Sequence, residues 1–295
     1  MKILLTGRNG QIGWELNRSL IPLGEVIALD RKEADFSNPE ELRTIVRDIK
    51  PDVIVNAAAY TAVDKAESEE ELATLVNGVA PGILAEEAKK IGALLIHYST
   101  DYVFDGTKDK PYVEDDIPRP INAYGRSKLA GERAIQSVEA DYLILRTSWI
   151  YAARGHNFLQ TIIRLAQEQD ELSVVSDQIG TPTWARLVAE TTACCLHKSA
   201  TGKGKRTFES GVYHLTSSGE TSWFGFAQAI VEKWRRQKPE EFVKCDINPT
   251  RTIHYPTPAK RPMNSRLDSG RLEKRFEVVM PIWMNAIDLC LQEIV

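Results

Sequence analysis

The sequence predicts an α/β protein: a doubly wound parallel sheet with a smaller C-terminal α/β domain built onto it. Short, almost purely apolar runs at residues 3–5, 26–29, 53–55, 94–96 and 143–145 alternate with stretches of helical period near 11–21, 39–49, 69–91 and 125–139. Strands that show no polar alternation are buried on both faces, the mark of a parallel sheet between two helical layers. Past about residue 150 the regular alternation gives way to a mixed pattern.

Individual elements carry their own boundary signals. Before the helix at 39–49, Asn38 is an N-cap candidate, Pro39 fits the first turn, and Glu40 and Glu41 sit where the helix dipole favours acids. Pro51-Asp52 ends that helix just ahead of the next strand. Helices near 157–169 and 184–198 follow, with a strand at 172–175 between them, then a Gly/Lys/Ser/Thr-rich stretch at 199–211 that reads as an exposed loop. A strand at Tyr213, a helix at 223–236, Pro-rich loops at 249–262 and a final helix near 281–293 complete the chain. The expected division is a nucleotide-binding core over 1–150, with 158–200 contributing, and a mostly substrate-binding domain over 201–295.

Composition narrows the class. Hydrophobic residues make up 43% of the 295 and charged residues 26%, with a net charge of −4 and both signs interspersed. That balance argues against a nucleic-acid or anionic-membrane surface. No apolar run approaches the roughly 18 residues that a membrane span needs. The N-terminus enters a core strand directly, without the basic and apolar regions of a signal peptide. Cys194, Cys195, Cys245 and Cys290 lack metal-ligand spacing and read as buried thiols in a reducing compartment. The expected location is the cytoplasm.

Thr6-Gly7-Arg8-Asn9-Gly10-Gln11-Ile12-Gly13 follows the first strand and opens the first helix. Glycine is needed there for a tight turn, for backbone approach to a pyrophosphate and for close helix–strand packing, while the helix N-terminus offers free N–H groups to phosphate. The loop predicts a dinucleotide and makes the sheet Rossmann-type. Asp30 ends the second strand twenty residues beyond Gly10, where a ribose-binding carboxylate belongs. Arg31 and Lys32, or Arg8, can instead hold a 2′-phosphate, so the pattern fits NADPH first and NADH as well.

Tyr124 and Lys128 form the chain's only Tyr-x-x-x-Lys. On a helix this spacing puts phenol and ammonium on one face, and a fixed cation is expected to lower the tyrosine pKa from about 10. Such a phenol is a proton donor to a carbonyl oxygen. Thr100, at the carboxyl end of the fourth strand, faces the same crevice. The small residues of Asn56-Ala57-Ala58-Ala59 would let a cofactor lie against the third strand's end.

This set resembles the extended short-chain dehydrogenase/reductases. Residues 56–67 (NAAAYTAVDKAE), 99–106 (STDYVFDG), 146–151 (RTSWIY), 177–183 (DQIGTPT) and 261–268 (RPMNSRLD) are similar to the dTDP-4-dehydrorhamnose reductase family within it. The resemblance implies NAD(P)H-dependent reduction of the C4 keto group of a nucleotide-linked 4-keto-6-deoxy sugar, in the supply of cell-surface polysaccharide precursors. It implies Tyr124 as proton donor, Lys128 holding the nicotinamide ribose, and Thr100 orienting the carbonyl. Asp101 and Trp149 would contact the nucleotide-sugar. Gly10, Gln11, Ile12, Asp30, Asp35, Phe36, Ala59, Tyr60, Thr61 and Tyr98 would contact the cofactor, beside Gly7, Asn9, Gly13 and Arg31 from the loop and strand end. Some members bind Mg²⁺ between acidic side chains, sometimes at a dimer contact. Glu15 and Glu190 are the helical acids to consider, although no ligand spacing demands a metal.

Rival functions separate at single residues. The dehydratases of the wider family carry Glu after Thr-Asp, whereas Tyr102 stands here and cannot act as a carboxylate acid or base. An epimerase that retains its nicotinamide is not separated by sequence. A non-catalytic NADP-binding subunit, like the regulatory subunit of methionine adenosyltransferase, fits poorly with an intact Thr100, Tyr124 and Lys128. His97 and His214 read as satisfied interior groups, and Trp223, Phe224 and Phe226 as helix packing.

Overall fold

The computed structural model describes residues 1–200, 210–241 and 245–294. Six parallel strands make the central sheet: β1 (Lys2–Thr6), β2 (Glu25–Leu29), β3 (Val53–Asn56), β4 (Leu94–Thr100), β5 (Asp141–Thr147) and, far along the chain, β10 (Gly211–His214). Their order is β2-β1-β3-β4-β5-β10, with every neighbouring pair parallel. The chain turns to one side of β1 for β2 and to the other for β3. Their carboxyl ends therefore splay apart at a switch point, where ligands of such sheets bind.

Helices cover both faces. On one face lie α1 (Gln11–Ser19), α8 (Ala185–Ala200) and α10 (Gly270–Phe276); Leu16, Val188, Leu272 and Phe276 bury against Ile3, Leu5 and Ile96. On the other lie α2 (Pro39–Ile49), α5 (Ala80–Ile91) and α6 (Ala123–Ser137), with Leu42, Leu84 and Ile135 against Leu4, Ile54 and Ile144. The chain reaches α5 through the short helices α3 (Val63–Ala66) and α4 (Glu70–Thr74). Asn38 occupies the N-cap of α2 without accepting a capping hydrogen bond; its amide turns to Glu41 instead, at 3.5 Å.

The single helix expected over 69–91 is interrupted. A π-helical turn, Leu75–Val79, joins α4 to α5. Pro81 has no N–H to give to the carbonyl of Asn77, so the turn widens there. The freed carbonyl lies over Gly131 of α6, where an added Cβ would stand only 2.1 Å from it.

The remaining elements form a second layered unit beside the carboxyl ends of the sheet. Three strand pairs, β6 (Ile150–Tyr151) with β9 (Thr183–Trp184), β7 (Glu171–Val175) with β12 (Asp246–Thr250) and β8 (Ile179–Gly180) with β11 (Thr221–Ser222), pack with α7 (Phe158–Glu168), α9 (Trp223–Gln237) and α11 (Trp283–Gln292). Their core holds Tyr151, Phe226, Ile230, Trp283 and Ile287. β12 takes in Pro249 and Thr250, which the sequence placed in a loop; in a two-stranded pair both strands are edges, and an edge tolerates proline. Since β10 and α10 return to the central sheet, the stretch 201–295 is shared between the two layers. Most of the loop expected at 199–211 lies outside the described residues. All four cysteines are free; three are buried, but Cys194 is exposed, contrary to expectation. Among the described residues no helix is long and apolar enough to cross a membrane.

Candidate active site

A cleft of about 1090 Å³ opens at the carboxyl ends of β1–β5. One wall is the glycine loop. Gly7 has φ +75°, and a Cβ on it would stand 2.6 Å from the Ala58 nitrogen; a Cβ on Gly13 would meet the Gly7 carbonyl oxygen at 2.0 Å. The loop thus lies against the end of β3 and the first turn of α1 against the loop, as phosphate approach requires. Gly7, Asn9, Gly10, Gln11 and Ile12 line the cleft, whereas Gly13 packs beneath it. Gln11 Oε1 is buried without a partner, one of three such oxygens in this wall and floor with Asp101 Oδ2 and Thr147 Oγ1. Buried polar atoms left unpaired at a cleft are where a ligand's donors and acceptors belong. The glycine cradle and these oxygens fit a dinucleotide.

At one end of the cleft Asp30 gathers the loop. Its carboxylate accepts from Arg8 and Asn9, each at 3.1 Å, and from the Lys32 backbone N–H at 2.9 Å. Despite partial desolvation, the Lys32 N–H first and Arg8 next hold it below the usual carboxylate range. Arg8 is committed further, donating to the Ala28 carbonyl at 2.7 Å and pairing with Glu33. Arg31 is 82% exposed, with Asp35 4.0 Å away at its nearest, and Lys32 beside it is exposed as well. Asp35 and Phe36 line the same end, with Phe36 anchored in the core.

At the other end stand Thr100, Asp101 and Lys128, all buried, and the half-buried Tyr124. Asn122 caps α6 by accepting from the Gly125 N–H at 2.7 Å, which starts the helix where Tyr124 meets the end of β4. Gly125 is required: its Cβ would fall 2.1 Å from the Tyr102 carbonyl oxygen. Tyr124 stands next to Thr100, whose hydroxyl pulls the phenol pKa down. Thr100 Oγ1 donates to Asp101 Oδ1 at 2.9 Å and accepts from the Tyr102 N–H at 3.2 Å. Burial raises the Asp101 carboxyl to about 7, against the pull of Thr100 and Ser265.

Lys128 does not lower the Tyr124 pKa as expected. Burial, then the neighbouring Asp101, push the phenol above its ordinary value. Lys128 is not among the influences on it; its Nζ donates to the Tyr98 carbonyl at 2.6 Å and lies 3.3 Å from His97 Nε2. Its own pKa is lowered to about 8 by burial, with Glu132 opposing.

Ala59, Tyr60, Thr61 and Tyr98 line the cleft. Tyr60 is held through its backbone N–H and C=O by Asn77 of the π turn, and the Tyr98 hydroxyl pairs with Thr192 of α8 at 2.8 Å. Trp149 lies across the mouth in left-handed backbone, φ +47°, with its indole N–H donating to Ser265 at 3.1 Å. Gly180 leaves room for that ring, since a Cβ there would stand 2.4 Å from it, which accounts for the glycine in residues 177–183. Trp223, read from sequence as packing, lines the cleft and stacks on Trp149 with centroids 3.6 Å apart. Arg154 and His156, which carried no motif, line it too. Magnesium finds no support. Glu15 is paired with Arg186 at 3.2 Å, and among the described residues no three His, Cys, Asp or Glu cluster as metal ligands do.

A glycine-cradled cleft at the switch point of a parallel sheet, ending on threonine, tyrosine and lysine, defines an extended short-chain dehydrogenase/reductase. The model of the RmlD substrate binding domain family matches residues 1–295, and the chain belongs to that family. It is 53% identical to a dTDP-4-dehydrorhamnose reductase of Burkholderia thailandensis, over 100% of this chain and 99% of the relative, and 47% identical to that of Escherichia coli K12, over 100% and 98%. A crystal structure of the Bacillus anthracis dTDP-4-dehydrorhamnose reductase in complex with NADP superposes with a TM-score of 0.89 at 35% identity, covering 99% of each chain.

Proposed function

We propose that this protein is an NADPH-dependent oxidoreductase that reduces the C4 keto group of dTDP-4-dehydrorhamnose, giving dTDP-L-rhamnose for cell-surface polysaccharide. One observation carries the reading: Tyr124 and Thr100 line, beside Asp101, the end of the cleft that the glycine loop begins. The names of its close relatives supply the substrate, and the NADP complex of one supplies the cofactor. Bound along the glycine loop, the reduced nicotinamide supplies a hydride to C4. Tyr124 keeps its proton until a carbonyl oxygen arrives, because burial disfavours the phenolate. Thr100 holds that oxygen toward the phenol. Trp149 and Trp223 close the outer side of the sugar, and the unpaired Asp101 Oδ2 meets one of its hydroxyls. The reading puts the reaction in the cytoplasm, and the water solubility of both reactants supports it. Residues 1–150 with α8 and β10 serve as the cofactor half, and the outer layer as the sugar half.

The test follows NADPH oxidation with dTDP- and GDP-linked 4-keto-6-deoxy sugars and reads the product configuration by NMR. Turnover with the dTDP sugar and an L-rhamno product is expected. NADPH left unconsumed in the presence of the dTDP sugar sinks the reading.

A further inference from the structure

Behind the cleft floor four buried side chains form one hydrogen-bonded line: Thr6 at the end of β1, Asn56 at the end of β3, His97 in β4 and Lys128 in α6. The Asn56 amide has no choice of orientation. Its Oδ1 accepts from Thr6 Oγ1 at 2.8 Å and from the Ala58 backbone N–H at 3.1 Å. A backbone N–H only donates, so the oxygen must face it and Nδ2 must face His97 Nδ1, 3.0 Å away. Nδ2 also only donates, which leaves His97 Nδ1 without a proton. A neutral imidazole then carries its proton on Nε2, 3.3 Å from Lys128 Nζ. An ammonium there would set donor against donor. A neutral amine accepts the Nε2–H on its lone pair and still donates to the Tyr98 carbonyl at 2.6 Å.

We infer that Asn56 and His97 are positioning residues that fix the Nε2–H tautomer of His97, favour Lys128 as the neutral amine, and so set the pH at which Lys128 becomes cationic. The inference rests on the proposed reduction only in taking the ammonium as the working form of Lys128 toward the nicotinamide ribose. Burial acts in the same direction on both groups: it lowers Lys128, and with the lysine's charge it keeps His97 neutral. The opposing charge is Glu132, one turn along α6, whose carboxylate is bound by Arg146 of β5 and Ser99 of β4. From the π turn the facing side chain is Asn77, uncharged and bonded to Ser127; Asp101 and Tyr124 border the same cleft.

Asn56→Asp tests this with little change of shape. A carboxylate still accepts from Thr6 and Ala58 but also accepts from His97, moving the imidazole proton to Nδ1 and presenting Nε2 as an acceptor to the ammonium. Nitrogen NMR of the histidine-labelled, ligand-free protein should show Nε2–H in the unmodified chain and Nδ1–H in the variant. The alkaline limb of the kcat/KM profile should move up by about one pH unit. His97→Leu, which removes the donor without adding charge, should move it the same way. A proton on Nδ1 of His97 in the unmodified chain overturns the inference and needs no variant to fold. A limb unmoved in both folded variants overturns it as well. Should the chain leave the keto-sugar unreduced, the nitrogen shifts still decide the tautomer, so the two readings fail separately.

Discussion

The two ends of the cleft solve different electrostatic problems. At the loop end, Arg8, Asp30, Glu33, Arg31 and Asp35 sit at the surface, and local hydrogen bonds hold Asp30 in its charged form. At the reacting end, burial is the leading influence on every shifted group: it raises Asp101 and Tyr124 and lowers Lys128 and His97. Water screens the first set, so its members are individually weak and exchangeable. Burial keeps most water from the second, so an uncompensated charge there is costly. The first end is suited to choosing between similar cofactors, the second to holding protons until a reaction needs them.

The contrast predicts that substitutions at the buried end cost most. Tyr124→Phe removes the proton and keeps the ring, and should lower kcat by about 10²–10⁴-fold, the usual worth of a general acid. NADPH affinity, read by fluorescence titration, should stay near that of the unmodified protein. A variant that keeps its kcat removes Tyr124 from the proton-donating role.

A paired comparison measures stability at the two ends. Glu132 accepts from Arg146 at 2.8 and 2.6 Å and from Ser99 at 2.5 Å, fully enclosed. Glu132→Gln leaves the Arg146 guanidinium buried without a counter-charge and should cost about 3–5 kcal/mol in urea unfolding. Asp30→Asn, at the exposed end, should leave the unfolding midpoint where it was. Equal losses from both would erase the distinction.

The same contrast explains what could be read from the sequence. The glycine loop, Asp30, and Tyr124 with Lys128 were legible because each is set by near neighbours: a turn, a strand end, one turn of helix. The six-strand core was legible in five of its strands because burial on both faces leaves an unbroken apolar run. The sixth, Gly211–His214, was expected as a strand at Tyr213, but its place beside β5 depends on the path of the whole intervening layer. His97 was read as interior, which it is; its bond to Lys128 joins residues 31 apart and leaves no local pattern. The π turn hid inside a good helical period because its causes are Pro81 and a contact with Gly131 on another helix. Trp223 looked like packing because an aromatic on an apolar helix face has the same signature whether its neighbour is core or cleft.

The smallest expected effect is at the most exposed group. Arg31 projects 82% into solvent, with Asp35 only at 4.0 Å, while Arg8 is tied to Ala28, Asp30 and Glu33. A 2′-phosphate therefore has one uncommitted guanidinium to meet beside Asp30, whose own charge repels it. Arg31→Ala should raise KM for NADPH by at most about fivefold, the worth of an exposed ion pair, and leave KM for NADH unchanged. Raising the salt concentration should shrink that difference further, because the pair is screened. Equal changes for the two cofactors would instead make Arg31 a general surface charge, and the choice of cofactor would then lie with the Arg8–Asp30 pair.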